Sequence, residues 1–300
     1  IRETILEPSP YLSGLGGANV YCKLENLQHT GSFKVRGVMN RLLGMAPDER
    51  ARGIVTASTG NHGAALAYTT SKLGAEGIVY VPENADPDKL SAIERLGAEV
   101  RFYGDDNAVA EIYARQYAAE NGMTYVSPYN DLDVMAGQGT IGLELLEQLP
   151  QIDNVFISMG GGGLISGIGS VLRAFSPGTR IIGVSATHSA ALAASMAAGH
   201  IVETEHLDTL ADGCAGGVDE DALTLPIASE VVDRVIHCSE TQIADALRQL
   251  AWTDTMIVEG AAALALAGYL SDAQGYAGQC NVILLCGGNF DVARLQAVIG

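Results

Sequence analysis

Lys34 stands between two apolar residues in Thr30-Gly31-Ser32-Phe33-Lys34-Val35-Arg36-Gly37. Most lysines are solvated surface charges. One flanked by Phe33 and Val35 can instead be desolvated, which frees its amine to act as a nucleophile. Farther along, Gly160, Gly161, Gly162 and Gly163 run consecutively after a β-branched run at 154–159 and before a helical stretch at 164–173. Glycines let successive N–H groups converge, and a helix N-terminus behind them favours an anion such as phosphate. The alternative is a flexible linker, which rarely sits tightly between a strand and a helix. The run fits neither the dinucleotide G-x-G-x-x-G pattern nor a triphosphate loop, which would end in Lys-Ser/Thr.

Two further segments carry chemistry-bearing groups at strand ends. Ser58-Thr59-Gly60-Asn61-His62-Gly63 offers hydroxyls, an amide and an imidazole at the start of a helix, a setting suited to a carboxylate. An ordinary N-cap with a hydrogen-bonded histidine fits it equally well. Cys286-Gly287-Gly288-Asn289 ends the apolar run 282–286. Read alone, it is a buried thiol before a tight turn; read as a site, it is a thiol where open α/β sheets bind ligands.

The elements that position these groups alternate almost throughout. Strands are expected at 20–24, 53–57, 77–81, 99–103, 124–126, 154–159, 180–185 and 282–286, with amphipathic helices at 61–73, 106–121, 133–148 and 240–252. Strands spaced by single helices call for an α/β fold with parallel sheets. Turn-rich seams at 46–50 and 127–131 mark a smaller domain, 51–130, inserted into a larger one built from 1–50 and 131–300. A ligand is expected in the cleft between two such domains.

Composition narrows the classes. Three hundred residues, 48% of them apolar, can bury a substantial core. A net charge of −18 argues against a nucleic-acid partner. Five cysteines without C-x-x-C spacing suit a reducing cytoplasm rather than disulfides or zinc. No signal peptide is expected from the opening residues, and apolar stretches such as 190–198 are too short to span a bilayer.

Taken in order, these segments resemble the fold-type-II pyridoxal-phosphate family, and within it the threonine/serine dehydratase branch, which also holds serine racemases. Lys23-Leu24-Glu25-Asn26-Leu27-Gln28 leading into Gly31-Ser32-Phe33-Lys34-Val35-Arg36-Gly37 is similar to the family's cofactor-lysine motif. The resemblance implies two parallel-sheet domains of the tryptophan synthase β-like kind, with pyridoxal 5'-phosphate held as an imine on Lys34. It implies that Phe33 lies against the cofactor, that Asn61 bonds its ring oxygen and that Cys286 meets its pyridine nitrogen. Gly160, Gly161, Gly162, Gly163 and Leu164 would hold its phosphate through backbone N–H groups. Ser58, Thr59, Asn61 and His62 would bind substrate.

The activity so implied is dehydration of a β-hydroxy amino acid such as threonine or serine to a 2-oxo acid and ammonia, with the freed Lys34 as general base. Rivals within the family are an amino-acid racemase, which needs a second acid/base at Ser58 or Thr59, and the dehydratase of hydroxyectoine utilisation, similar around 127–131. Ser127 stands where threonine dehydratases more often have His, and His62 where cysteine-synthase-like relatives have Thr. The family's cation ligands, a Glu and an Asp, fall on Ser185 and Ala191, so no metal is expected. Outside catalysis the same fold could serve as an amino-acid-binding sensor. The resemblance further implies a cytoplasmic homodimer, and after Gly300 no regulatory extension is expected, which favours catabolism.

Overall fold

The computed structural model describes residues 1–300, the side chains of Asp88 and Lys89 excepted. It divides into two compact units, one comprising Lys34–Gly137 together with Ile1, the other Arg2–Phe33 and Gln138–Gly300. In chain order the strands are β1 (Leu6–Pro8), β2 (Asn19–Leu24), β3 (Ile54–Ala57), β4 (Gly77–Val81), β5 (Glu99–Phe102), β6 (Thr124–Tyr125), β7 (Asn154–Ser158), β8 (Arg180–Ala186), β9 (Arg234–Cys238) and β10 (Cys280–Leu285).

The smaller unit is a parallel sheet of order β5-β4-β3-β6. Every residue of Gly-Ile-Val-Tyr-Val in β4 is buried, as expected of a strand covered on both faces. One face packs on the helix Asn61–Leu73, whose run Ala64–Ala67 joins Ile54, Val79 and Val81 in a single core. On the other face the helix Asn107–Glu120 buries Ala110, Ala114 and Ala118, spaced by four. The unit is wider than 51–130 for a physical reason. The helix Lys34–Gly44 contributes Val35, Val38 and Leu42 to the first of these cores. At the other end, a methyl group on Gly137 would fall 2.5 Å from Arg36 O, so the helix Leu132–Gln148 begins in backbone contact with it.

The larger unit has the order β1-β2-β10-β7-β8-β9. From β2 to β9 all neighbours are parallel. β1 pairs antiparallel with β2, and neither β1 nor β9 is apparent in the sequence pattern. Leu6-Glu7-Pro8 is short and mostly exposed, and β9 buries only Ile236 and Cys238, so neither edge strand has a strong hydrophobic signal. The helix Gly260–Leu270 gives no amphipathic signal because it is apolar and buried all round. Lys23, 0% exposed, satisfies its ammonium with Glu144 (2.6 Å), Thr4 O (2.8 Å) and Gln148 (2.9 Å). At the surface, Trp252 Nε1 donates to Ile299 O (3.2 Å), fastening the helix Val292–Ile299. Among the described residues no helix is long and apolar enough to cross a membrane.

Candidate active site

In the larger unit the glycine turn and the Cys286 turn leave the C-terminal ends of neighbouring parallel strands, β7 and β10. That is the end of an open α/β sheet where ligands bind. After β7, Met159 N donates to Val184 O (2.8 Å), and the chain turns through the glycines into the helix Gly163–Phe175. Two positions exclude any side chain. Gly162 has φ +91°, and a methyl group there would lie 2.6 Å from Leu192 Cδ2. At Gly160 a methyl group would lie 2.9 Å from Cys214 Cα. The first turn of the helix begins at Gly163 and Leu164, whose N–H groups have no intrahelical acceptor. The result is a backbone surface able to hold an anion.

Cys286 forms no disulfide and is 3% exposed. Phe33 N donates to Cys286 O (3.1 Å), Ser32 bridges Gly287, and Gly288 N donates to Gly31 O (2.9 Å). The backbone thus stitches Phe33 to the Cys286 turn, although more than 250 residues of chain separate them. Asn289 Nδ2 donates to Thr30 O (2.7 Å), and Asn289 N donates to Glu259 Oε2 (3.1 Å). Glu259 was not singled out from the sequence. Its signal is a lone carboxylate between Val258 and the apolar helix that starts at Gly260.

In the smaller unit, the turns after the paired strands β3 and β6 carry the remaining groups. Lys34, half-buried at the start of its helix, donates through Nζ to Pro128 O (2.8 Å). That carbonyl belongs to a fixed turn: Ser127 Oγ accepts from Asn130 N (3.0 Å), and Asp131 accepts from Asp133 N (2.8 Å) and from Arg41 Nε (3.0 Å). Ser127, Pro128 and Asp131 are therefore positioning groups for the amine.

Ser58, Thr59 and Asn61 are half-buried on the turn that opens the helix Asn61–Leu73. Ser58 N donates to Tyr80 O (3.2 Å), and Ser58 Oγ accepts from Gly60 N (3.2 Å). His62 is buried, and its Nε2 lies 3.0 Å from Val126 O. A carbonyl can only accept, so Nε2 carries the proton and Nδ1 is an acceptor. Burial, helped by the charge of Lys34, lowers the imidazole from its ordinary 6.5 to about 3. His62 is neutral at physiological pH.

At the two positions that the resemblance gives to cation ligands, Ser185 is buried in β8 and Ala191 opens the helix Ala191–Ala198. Between them Ser189 Oγ accepts from Gly216 N (3.0 Å) and meets His206 Nδ1 (2.8 Å).

Known proteins share this fold. A family model described as pyridoxal-phosphate dependent enzyme matches residues 1–287. The catabolic L-threonine dehydratase of Staphylococcus aureus is 41% identical over 303 residues, an alignment covering 100% of this chain and 87% of that protein. The structure of the processed form of threonine deaminase isoform 2 from Solanum lycopersicum superposes with a TM-score of 0.94 at 32% identity, over 99% of this chain and 87% of that one. Maize serine racemase gives 0.92 at 30% identity, over 99% and 91%.

Proposed function

The chain belongs to the pyridoxal-phosphate dependent enzyme family, and from that premise we propose that it removes water and ammonia from a β-hydroxy amino acid, threonine or serine, to give a 2-oxo acid. The observation that carries this reading is full-length similarity to a threonine dehydratase at 41% identity. The site's own chemistry supports the cofactor. The glycine turn has no room for a β-carbon at Gly160 or Gly162, as a surface that meets a phosphate through N–H groups requires. At the end of the neighbouring strand lies a buried thiol, a neutral partner for a ring nitrogen.

The cofactor, when bound, supplies an electron sink that makes the substrate's α-proton removable. Lys34 would hold it through its amine. Freed, the same amine takes the α-proton, with the Pro128 carbonyl as its resting acceptor. Gly160, Gly161, Gly162, Gly163 and Leu164 would hold its phosphate, Phe33 its ring face, Asn61 its ring oxygen and Cys286 its nitrogen. Ser58, Thr59 and Asn61 present hydroxyl and amide groups at a helix N-terminus, where a substrate carboxylate is favoured. His62 contributes there as a fixed neutral imidazole rather than as a cation.

Racemisation is the second reading, supported by the likeness to maize serine racemase and by the half-buried Ser58 hydroxyl. The test is incubation with a panel of β-hydroxy amino acids. Dehydration yields a 2-oxo acid and ammonia; the racemase reading requires D-isomer to accumulate faster than either. Cysteines that form no disulfides support a reducing, cytoplasmic setting. A homodimer, proposed from the family resemblance, is checked by sedimentation.

A further inference from the structure

The helix Gly260–Leu270 begins where several segments of the larger unit converge. Its N-cap residue, Glu259, is 3% exposed and does not use its side chain to cap its own helix. Instead the carboxylate faces the turn after β10, where Oε2 accepts from Asn289 N (3.1 Å) while Glu259 N donates to Gly287 O (3.2 Å). A methyl group on Gly287 would fall 2.6 Å from Oε1, so a side chain there would displace the carboxylate.

The same carboxylate reaches a second turn. A methyl group on Gly213 would lie 3.4 Å from Oε1, and the 3-10 turn Asp212–Cys214 is the segment that backs Gly160. The next residues of the helix extend this junction. Ser158 Oγ, at the end of β7, donates to Ala261 O (2.6 Å). Gly260 packs directly on the Leu210 carbonyl. Burying a carboxylate is unfavourable unless its hydrogen bonds compensate, and here it lies between the Cys286 turn, assigned to the cofactor ring, and the turn that backs the glycine cradle assigned to its phosphate.

We propose that Glu259 is a positioning residue that ties the Cys286 turn to the turn behind the glycine cradle, so that ring-side and phosphate-side contacts form together. The proposal rests on the cofactor reading above. It makes occupancy of one end favour occupancy of the other, a coupling that is reciprocal by thermodynamic necessity.

The test uses the full chain after cofactor removal, titrated with pyridoxal in the presence and absence of inorganic phosphate and followed by visible absorbance. In the wild-type protein phosphate should raise pyridoxal affinity by about fivefold or more. Glu259→Gln, which preserves volume, should reduce that factor to less than about twofold. So should Gly287→Ala, which keeps Glu259 but displaces its carboxylate. Variants with weaker affinity or lower thermal midpoints but the wild-type factor would show a merely structural residue and overturn the proposal. Absence of coupling in a wild-type protein that still binds pyridoxal 5'-phosphate would overturn it as well. Failure of the wild-type protein to bind pyridoxal 5'-phosphate at all would instead remove the cofactor reading, and the proposal with it.

Discussion

The turn from Ser58 to Gly63 and the turn from Gly160 to Gly163 share a plan: each follows a parallel strand and leads into a 13-residue helix. They differ in what they present. The first displays two hydroxyls, an amide and an imidazole, with hydrogen bonds holding Ser58 and His62 in place. The second displays peptide groups alone, and its surroundings leave no room for a side chain at Gly160 or Gly162. On the proposed function, a helix N-terminus serves a changeable ligand through side chains and a constant one, a phosphate, through the backbone. Substitutions at Ser58, Thr59 or Asn61 should alter chemistry on an intact fold, whereas a side chain at Gly160 or Gly162 should damage the fold and the anion surface together.

The largest effect tests whether the reacting amine lies in the smaller unit with the side-chain-bearing turn. Lys34→Ala should lower turnover by at least about 10³-fold, because the base and the covalent anchor go together. Borohydride reduction of the holoenzyme followed by peptide mapping should mark Lys34, and a label on another lysine breaks the assignment.

Gly162→Ala sharpens the contrast. Its left-handed φ and the nearby Leu192 methyl should destabilise the fold by about 1–3 kcal/mol, with a parallel loss of cofactor affinity, about tenfold for each 1.4 kcal/mol. Ser58→Ala should leave the urea midpoint unchanged and alter turnover only. If the two variants behave alike, the contrast collapses.

His62 gives the side-chain turn a pH signature. Its folded pKa, about 3, lies below its ordinary 6.5. Between these values the unfolded chain binds a proton that the folded chain does not. The contribution is therefore fully present above about pH 6.5 and is lost as pH falls towards 3, at up to about 1.4 kcal/mol per pH unit. Unfolding of His62→Asn across that window should show a shallower slope than wild type; equal slopes would mean that the imidazole is solvated.

At Cys286 a smaller change is expected. Cys286→Ser should keep most activity, since a hydroxyl offers the same neutral hydrogen bond. Cys286→Asp should favour a protonated ring and shift both spectrum and product partition. A folded Asp variant with wild-type spectrum and partition removes Cys286 from the site. The smallest expected effect is none: chelators should leave activity unchanged, and loss restored by Mg²⁺ or Ca²⁺ would show that Ser185 and Ala191 were wrongly matched to the cation ligands.

The glycine turn and the Lys34 segment were legible in the sequence because their signals are local, residue type beside element boundary. The adjacency of β7 and β10, which makes neighbours of the glycine and Cys286 turns, depends on strand order, and strand order leaves no trace in periodicity. The helix Lys34–Gly44 shows an apolar face but not which core receives it, so the smaller unit was read too short. For His62 the sequence left capping and binding equally open; a single carbonyl, Val126 O, fixes its tautomer. Glu259 escaped notice because a carboxylate ahead of an apolar helix looks like any solvated cap until the turn it faces is known.

The fastening of Trp252 to the last helix bears on how this protein's unfolding is measured. It is the only tryptophan in the chain, 70% exposed, and its indole N–H is bonded to Ile299 O. Already largely in water, the indole should emit near the wavelength of an unfolded chain, and its signal should follow release of the helix Val292–Ile299 rather than loss of either sheet. A fluorescence transition that precedes the circular-dichroism transition would record fraying of one helix, and only coincident curves license a single free energy of unfolding.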